Sequence, residues 1–237
     1  MSDNRLIVAL DFHDIDSVKK IVNSLGDNVG YYKVGMELFY SVGASVIDFL
    51  KSQNKNIFLD LKLHDIPNTV AGGLCSLMNL GANILNVHAG GGYTMMKTAA
   101  DRLKEEAEKN NIARPKLIAI TVLTSINQDD WEGLGYQNSM KDQVIRLAKL
   151  AKEAGLDGVV ASPQEAKSIR EVCGEEFLII TPGIRPAGAA INDQSRISTP
   201  AQALKNGASH IVVGRPIIAV ENPVEAALKI IEEIKSV

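Results

Sequence analysis

The chain has 237 residues, of which 46% are hydrophobic, and a formal net charge of −3. This size suits one large core, and the weak negative charge with scattered basic residues argues against binding to nucleic acid or to an anionic membrane. The N-terminus lacks a signal-peptide pattern, no apolar run is long enough for a membrane span, and Cys75 and Cys173 lack CxxC spacing, which together predict a soluble cytoplasmic protein.

Short apolar runs rich in β-branched residues recur along the chain. Their composition and length predict strands. In chain order the predicted strands are Leu6–Leu10, Tyr31–Val34, Ile57–Leu63, Ile84–His88, Leu117–Leu123, Gly158–Ala161, Phe177–Thr181 and His210–Val213.

Amphipathic stretches with helical periodicity follow these strands. Gly81, Gly155 and Gly207 stand just past the ends of three of them, where helices commonly stop. The predicted helices are Ile15–Leu25, Val42–Lys51, Val70–Leu80, Tyr93–Asn110, Lys141–Ala154, Pro163–Val172, Pro200–Lys205 and Pro223–Ile234.

This alternation indicates the fold class. Near-continuous apolar strands between helices are typical of parallel strands covered on both faces. Eight such units favour an α/β fold of the (β/α)₈ TIM-barrel type, with a doubly wound open sheet as the alternative. No linker or change of composition divides residues 1–237, so we expect a single domain. The long loop Arg185–Thr199 is the one segment that is hard to place, and its length is typical of a functional lid or of a disordered segment.

A charged motif, Asp60-Leu-Lys62-Leu-His64-Asp65, ends the third predicted strand. Side chains two apart on a strand share a face, so Asp60 and Lys62 should point the same way. His64 is expected to face the helices instead. Because buried charges must be paired, two carboxylates that bracket a lysine indicate either a structural ion pair or a catalytic group.

Polar residues also collect at the carboxyl ends of the other predicted strands, where the active site of a barrel lies. Convergence from separate strands favours an active site over a lone structural ion pair. Besides Asp60 and Lys62, these residues are Asp11, Lys33, His88, Thr124, Ser125, Ser162, Pro182, Gly183, Ile184, Arg185, Gly214 and Arg215.

This set closely resembles the orotidine 5′-phosphate decarboxylase family of the bacterial type. The matching positions, in chain order, are Asp11, Lys33, Asp60-x-Lys62-x-x-Asp65, Pro182-Gly183-Ile184-Arg185, Asp193-Gln194-x-Arg196 and Gly214-Arg215. The resemblance implies a carboxy-lyase that converts orotidine 5′-monophosphate to uridine 5′-monophosphate, the last step of de novo pyrimidine biosynthesis. It implies that neither a cofactor nor a metal takes part.

The resemblance also implies roles for individual residues. Lys62 would stabilise the charge at C6 of the pyrimidine and protonate it, Asp60 would lie near the substrate carboxylate, and Asp65 would complete the charge network. Lys33 and Asp11 would hold the ribose hydroxyls. The other implied substrate contacts are Thr69, Thr124 or Ser125, Pro182, the lid residues Arg185 and Gln194, and the phosphate-binding Gly214 and Arg215.

The implied assembly is a homodimer with shared active sites, in which Asp65 and Thr69 reach into the partner's site.

Three alternative functions stay open. Sugar-phosphate decarboxylases share Asp-x-Lys-x-x-Asp but resemble one another in a metal-binding glutamate at the position of Lys33, where a cation repels Mg²⁺. Pentulose-phosphate epimerases need His and Asp ligands where Lys33 and Lys62 stand. A non-catalytic barrel that binds phosphoribosyl ligands has no evident need for a lysine between two aspartates.

Overall fold

Eight parallel strands close into a barrel in the computed structural model, which describes residues 2–186 and 198–237. Each strand pairs with its neighbours in sequence, and the last pairs with the first. The predicted (β/α)₈ barrel is thus confirmed and the open sheet was wrong. The strands are β1 (Leu6–Ala9), β2 (Tyr31–Gly35), β3 (Asn56–Leu63), β4 (Ile84–His88), β5 (Lys116–Ile120), β6 (Gly158–Val160), β7 (Leu178–Thr181) and β8 (His210–Val213).

Helices follow the strands on the outside of the barrel. No helix in the described part of the chain is long and apolar enough to cross a membrane. The helices are α1 (Ile15–Leu25), α2 (Met36–Val42), α3 (Ser45–Ser52), α4 (Pro67–Met78), α5 (Gly92–Lys109), α6 (Gln128–Gly133), α7 (Met140–Glu153), α8 (Ala166–Cys173), α9 (Pro200–Lys205), α10 (Arg215–Ile218) and α11 (Pro223–Lys235).

Side chains alternate across the barrel wall, as the two-residue period of a strand requires. One buried cluster fills the interior, and a larger one lies between the strands and the helices. The interior cluster comprises Ile7, Ala9, Tyr31, Phe58, Ile84, Ile118, Ile180 and Val212. A polar residue two positions beyond one of these therefore points into the mouth of the barrel, at the carboxyl ends of the strands.

Several boundaries differ from the predictions. The predicted helix Val42–Lys51 forms as α3 but begins three residues later, at Ser45, because Gly43 adopts φ +64° and separates α3 from α2. Strand β5 ends at Ile120 rather than Leu123, and α8 begins three residues after Pro163. The short helices α2, α6 and α10 were not predicted, since four to seven residues show too little periodicity to be recognised.

Candidate active site

Strand β3 carries two charged side chains into the mouth of the barrel. Asp60 follows the inward-facing Phe58 by two residues, and Lys62 follows Asp60 by two more. Lys62 Nζ lies 2.8 Å from Asp60 Oδ1, and the two side chains are 25% and 9% exposed. Asp60 and Lys62 therefore point the same way, as predicted, and form a largely buried ion pair.

Two further charged residues extend this pair into a row. Lys33 Nζ, from β2, lies 3.4 Å from Asp60 Oδ2 and 3.5 Å from Asp11 Oδ1. Asp11, just past β1, is the most exposed member of the four. The charges along the mouth thus alternate in the order Asp11, Lys33, Asp60, Lys62, so that every buried charge has an opposite neighbour.

The environment of Asp60 keeps it ionised. Burial of the Asp60 carboxyl raises its pKa, but the charges of Lys33 and Lys62, together with hydrogen bonds from Lys62 and Asn86, lower the pKa by more. The net pKa of Asp60 lies below its ordinary value. The mouth therefore contains a fixed, buried carboxylate beside a lysine ammonium group.

Two adjoining cavities open at this row of charges, with Lys33, Pro182 and Val212 in the walls of both. The first, of about 190 Å³, is lined by Lys33, Phe58, Asp60, Lys62, Ile120, Val122, Leu123, Thr124, Val160, Pro182 and Val212. The second, of about 120 Å³, is lined by Ala9, Asp11, Lys33, Pro182, Gly183, Arg185, Val212, Gly214 and Arg215. Together they suit an elongated ligand with an apolar ring at one end and a polar group at the other.

A larger hollow, of about 610 Å³, lies beside α10 and α11. Its ion pair joins Lys229 to Glu225, which are four residues apart on the exposed surface of α11. Pairs of that kind are common on helix surfaces and contribute little. The buried charges, rather than the cavity volume, therefore favour the mouth of the barrel as the candidate active site.

The second cavity gathers the residues predicted to hold phosphate. Arg185 is buried in its wall, where its Nη1 donates to the carbonyl of Ile184 at 2.9 Å, so Arg185 is a wall residue in this structure. A Cβ atom on Gly214 would lie 3.0 Å from Asp11 Oδ2, so the absence of a side chain lets β8 end close to Asp11. Arg215 lines the same cavity from the start of α10. Gln194, with Asp193 and Arg196, lies outside the described residues.

Other predicted residues lie apart from Lys62. Asp65 is exposed, and its Oδ1 accepts a hydrogen bond from the backbone N–H of Ile66 at 2.6 Å. Within residues 2–186 and 198–237, Asp65 forms no ion pair with Lys62. Thr69 is exposed in the first turn of α4. Thr124 lies in the wall of the first cavity, whereas Ser125 is exposed and outside it.

Asn86 was missed by the sequence reasoning. It is 2% exposed on β4, and its Nδ2 donates to Asp60 Oδ1 at 2.6 Å. Its Oδ1 accepts a hydrogen bond from the backbone N–H of Lys62 at 2.8 Å. The available signal was an asparagine within the apolar run Ile84–His88, because a buried amide requires hydrogen-bonding partners.

Two histidines lie together near this end of β3 and β4. The rings of His64 and His88 are 5.4 Å apart, and His64 is exposed, so its predicted packing against the helices was wrong. Burial, followed by the electrostatic influence of His64 and Lys62, lowers the pKa of His88 by more than Asp60 raises it. His88 is therefore largely neutral at physiological pH and adds no competing cation beside Lys62.

Known proteins are similar to this chain along nearly its whole length. Residues 4–230 match the model of the orotidine 5′-phosphate decarboxylase / HUMPS family. The chain is 48% identical over 235 residues to the orotidine 5′-phosphate decarboxylase of Moorella thermoacetica, covering 99% of this chain and 93% of that relative. It is 50% identical over 233 residues to the enzyme of the same name from Carboxydothermus hydrogenoformans, covering 98% and 97%.

A solved structure agrees with the sequence comparison. The crystal structure of orotidine 5′-phosphate decarboxylase from Lactobacillus acidophilus matches with a TM-score of 0.86 at 45% identity, over 98% of this chain and 99% of that one. The resemblance inferred from the motifs is thus confirmed over nearly the whole length. The chain belongs to the orotidine 5′-phosphate decarboxylase / HUMPS family.

Proposed function

We propose that this protein decarboxylates orotidine 5′-monophosphate to uridine 5′-monophosphate, the last step of de novo pyrimidine biosynthesis. The observation that carries the proposal is the Lys62 ammonium group, held 2.8 Å from the buried carboxylate of Asp60 in the wall of an apolar cavity. Relatives at 45–50% identity carry the name of this activity. The activity is assigned to one catalytic domain, residues 1–237, in the cytoplasm.

The reaction breaks the bond between C6 and the carboxylate carbon, and carbon dioxide leaves while the electron pair stays on C6. Lys62 is the proton donor: its N–H proton moves to C6, and solvent then restores the ammonium group. Before that transfer, the positive charge of Lys62 stabilises the developing carbanion. No cofactor is needed in this scheme, because electrostatic stabilisation takes the place of an electron sink.

Asp60 acts on the group that leaves. Its carboxylate is buried and ionised, so a substrate carboxylate placed beside it is repelled, and that repulsion is relieved as carbon dioxide departs. The apolar side chains of Phe58, Ile120 and Val160 supply a surface for the pyrimidine ring. By excluding water they also strengthen the charge interactions around Lys62.

The remaining residues bind the rest of the substrate. Lys33 and Asp11 stand between the two cavities and suit the ribose hydroxyls. Arg215 and the backbone at Gly214 suit the phosphate, because a guanidinium group can donate two hydrogen bonds to it. Thr124 and Pro182, which line the first cavity, are assigned to the base. Arg185, in the wall of the second cavity, and the lid residue Gln194 are assigned to the phosphate side, and Ser125 is the second candidate for the base contact.

The active assembly in this proposal is a homodimer with shared sites. Asp65 and Thr69 are exposed on the loop and first turn after β3, and Ile66 between them is 67% exposed. Tyr93 and Leu123, after β4 and β5, are also exposed large apolar residues. Exposed apolar side chains that follow three successive strands support a protein contact on this side of the mouth. A two-fold contact would bring Asp65 of each subunit to the partner's Lys62.

The two rival activities find less support. Lys33 lies 3.4 Å from Asp60, so a metal ion bound there would face a cation as well as the carboxylate. This disfavours a metal-dependent sugar-phosphate decarboxylase. A barrel that only binds its ligand has no evident need for a lysine paired with a buried aspartate, so no second function is proposed.

The test is a direct assay of turnover. Purified protein is incubated with orotidine 5′-monophosphate, with and without a chelator, while the absorbance of the pyrimidine is followed. Conversion to the product at equal rates in both samples is expected. Conversion that stops with chelator would contradict the cofactor-free scheme, and ligand binding without conversion would contradict the proposed function altogether.

A further inference from the structure

The ladder between β3 and β4 is irregular at the catalytic lysine. Leu59 pairs with Leu85 and Leu63 pairs with Val87, so three residues of β3 stand opposite the single residue Asn86 of β4. Within this bulge Lys62 adopts φ +53°, the left-handed region that residues other than glycine rarely occupy. The bulge removes regular ladder partners from the backbone around Lys62.

The side chain of Asn86 makes hydrogen bonds at the point where the regular ladder between β3 and β4 is interrupted. Its Oδ1 accepts from the N–H of Lys62 at 2.8 Å while its Nδ2 donates to Asp60 Oδ1 at 2.6 Å. The chemistry settles the orientation of the amide, because the flipped form would set oxygen against carboxylate and N–H against N–H. One buried amide thus holds the backbone of one charged residue and the side chain of the other.

We propose that Asn86 is a positioning residue for decarboxylation, which sets the distance and direction of the Lys62 ammonium group relative to Asp60. This inference rests on the proposed function. Asn86 lines neither cavity, so it acts through Lys62 and Asp60 rather than on the substrate.

The physical reason lies in the strain at Lys62. A left-handed backbone at a lysine persists only where surrounding contacts hold it, and the Asn86 carbonyl is the side-chain partner of the Lys62 N–H. Without Asn86, Lys62 can return to an extended backbone, and Asp60 Oδ1 loses one of its two donors. A displacement of about 1 Å at a reacting group can lower the rate about 100-fold.

The chain offers a matched control at the other end of the same strand pair. Asn83 Oδ1 accepts from the backbone N–H of Ile57 at 2.7 Å, which is the same kind of bond between the same two elements. Asn83 is exposed and remote from both mouth cavities. Asn83→Ala therefore removes a bond from an asparagine to β3 without disturbing Lys62.

The expected result separates positioning from general stability. Asn86→Ala should lower kcat on orotidine 5′-monophosphate about 100-fold with KM changed less than about threefold, because the substrate contacts remain. Asn83→Ala should leave both constants within about twofold of the unmodified protein, although either variant can lose a few degrees of thermal stability. If Asn86→Ala keeps kcat within about threefold, Asn86 is only structural and the inference is overturned.

A second variant decides the matter even if Asn86→Ala does not fold. In Asn86→Asp a protonated carboxyl can still donate to Asp60 and accept from the Lys62 N–H, whereas the ionised form repels Asp60. The groups that face this position are Asp60, Lys62 and, further along the row, Lys33 and His88. The same groups are present in the unmodified protein, so its pH profile of kcat is measured beside that of the variant and serves as the reference.

The ratio of kcat for Asn86→Asp to kcat for the unmodified protein should rise as the pH falls from about 8 to about 5. A ratio that stays flat over this range would overturn the positioning role. Turnover by the unmodified protein is measured in every series. Its absence would refute the proposed function itself, whereas normal turnover with an unaffected Asn86→Ala would refute only this inference.

Discussion

Asp65 should act on the Lys62 of a neighbouring subunit, and this can be tested with two inactive proteins. Lys62→Ala removes the proposed proton donor, and Asp65→Ala removes the carboxylate proposed to cross the interface. Asp65 is exposed and accepts a hydrogen bond only from the adjacent Ile66 among the bonds of the described chain, so no contact within one subunit ties it to Lys62. Each variant alone should be inactive.

The two variants are unfolded together and refolded as a mixture. With random pairing about half of the dimers contain one chain of each kind, and each mixed dimer has one site in which both residues are native. Since half of the dimers are mixed and one of the two sites in each mixed dimer is active, the mixture should recover about a quarter of the native activity. The absorbance assay measures this recovery, and two different affinity tags quantify the mixed dimers.

A third variant provides the control. Asp60 and Lys62 form an ion pair of 2.8 Å within one chain, so mixing Asp60→Ala with Lys62→Ala leaves every site defective. That mixture should stay inactive. If mixed dimers of Lys62→Ala and Asp65→Ala form but show no more activity than their parents, the two residues do not meet across an interface and the reasoning is wrong.

Three further predictions concern single substitutions. Lys62→Ala should lose about 5 kcal/mol of transition-state stabilisation, which is roughly a 5,000-fold loss in kcat. Calorimetry should still detect binding of uridine 5′-monophosphate to this variant. A variant with a tenth of the native rate would exclude Lys62 as proton donor. Arg215→Ala should lower kcat/KM by about 2–4 kcal/mol on the phosphorylated substrate and far less on orotidine; equal losses would assign Arg215 another role. Asp157 forms an ion pair with Arg114 at 2.7 Å and accepts a hydrogen bond from the Leu117 N–H at 2.8 Å. Asp157→Asn should therefore lower the free energy of unfolding by about 2–3 kcal/mol at pH 7, and kcat should stay unchanged.

The Asp157 prediction also has a definite pH dependence. Burial raises the pKa of Asp157, but Arg114, the Leu117 N–H and Lys116 together lower this pKa by a larger amount. The folded-state pKa of Asp157 therefore lies below the ordinary value of 3.8. The contribution to stability is therefore present above the unfolded pKa and is lost as the pH falls through the folded pKa. Urea unfolding at decreasing pH should show the difference between the two proteins shrinking only below about pH 4. A difference that is constant down to pH 3 would contradict this assignment.

Local patterns in the sequence determined most of the architecture. The two-residue alternation in β3 and the helical period of α1 or α7 depend on nearby residues, so these elements could be recognised without a structure. Active sites of barrels lie at the carboxyl ends of the strands. The predicted strands therefore indicated from the sequence alone that Asp11, Lys33 and Lys62 lie close together.

Only the tertiary structure decided how these residues meet. The bulge opposite Asn86, the left-handed backbone of Lys62 and the approach of β8 to Asp11 all arise from the register of neighbouring strands. Register depends on pairing between segments that are distant in sequence, and no local periodicity records it. The same holds for Asp60, whose lowered pKa reflects charges from two strands and an amide from a third. Closure of the barrel fixes these distances, because each strand must pair with both of its neighbours at once.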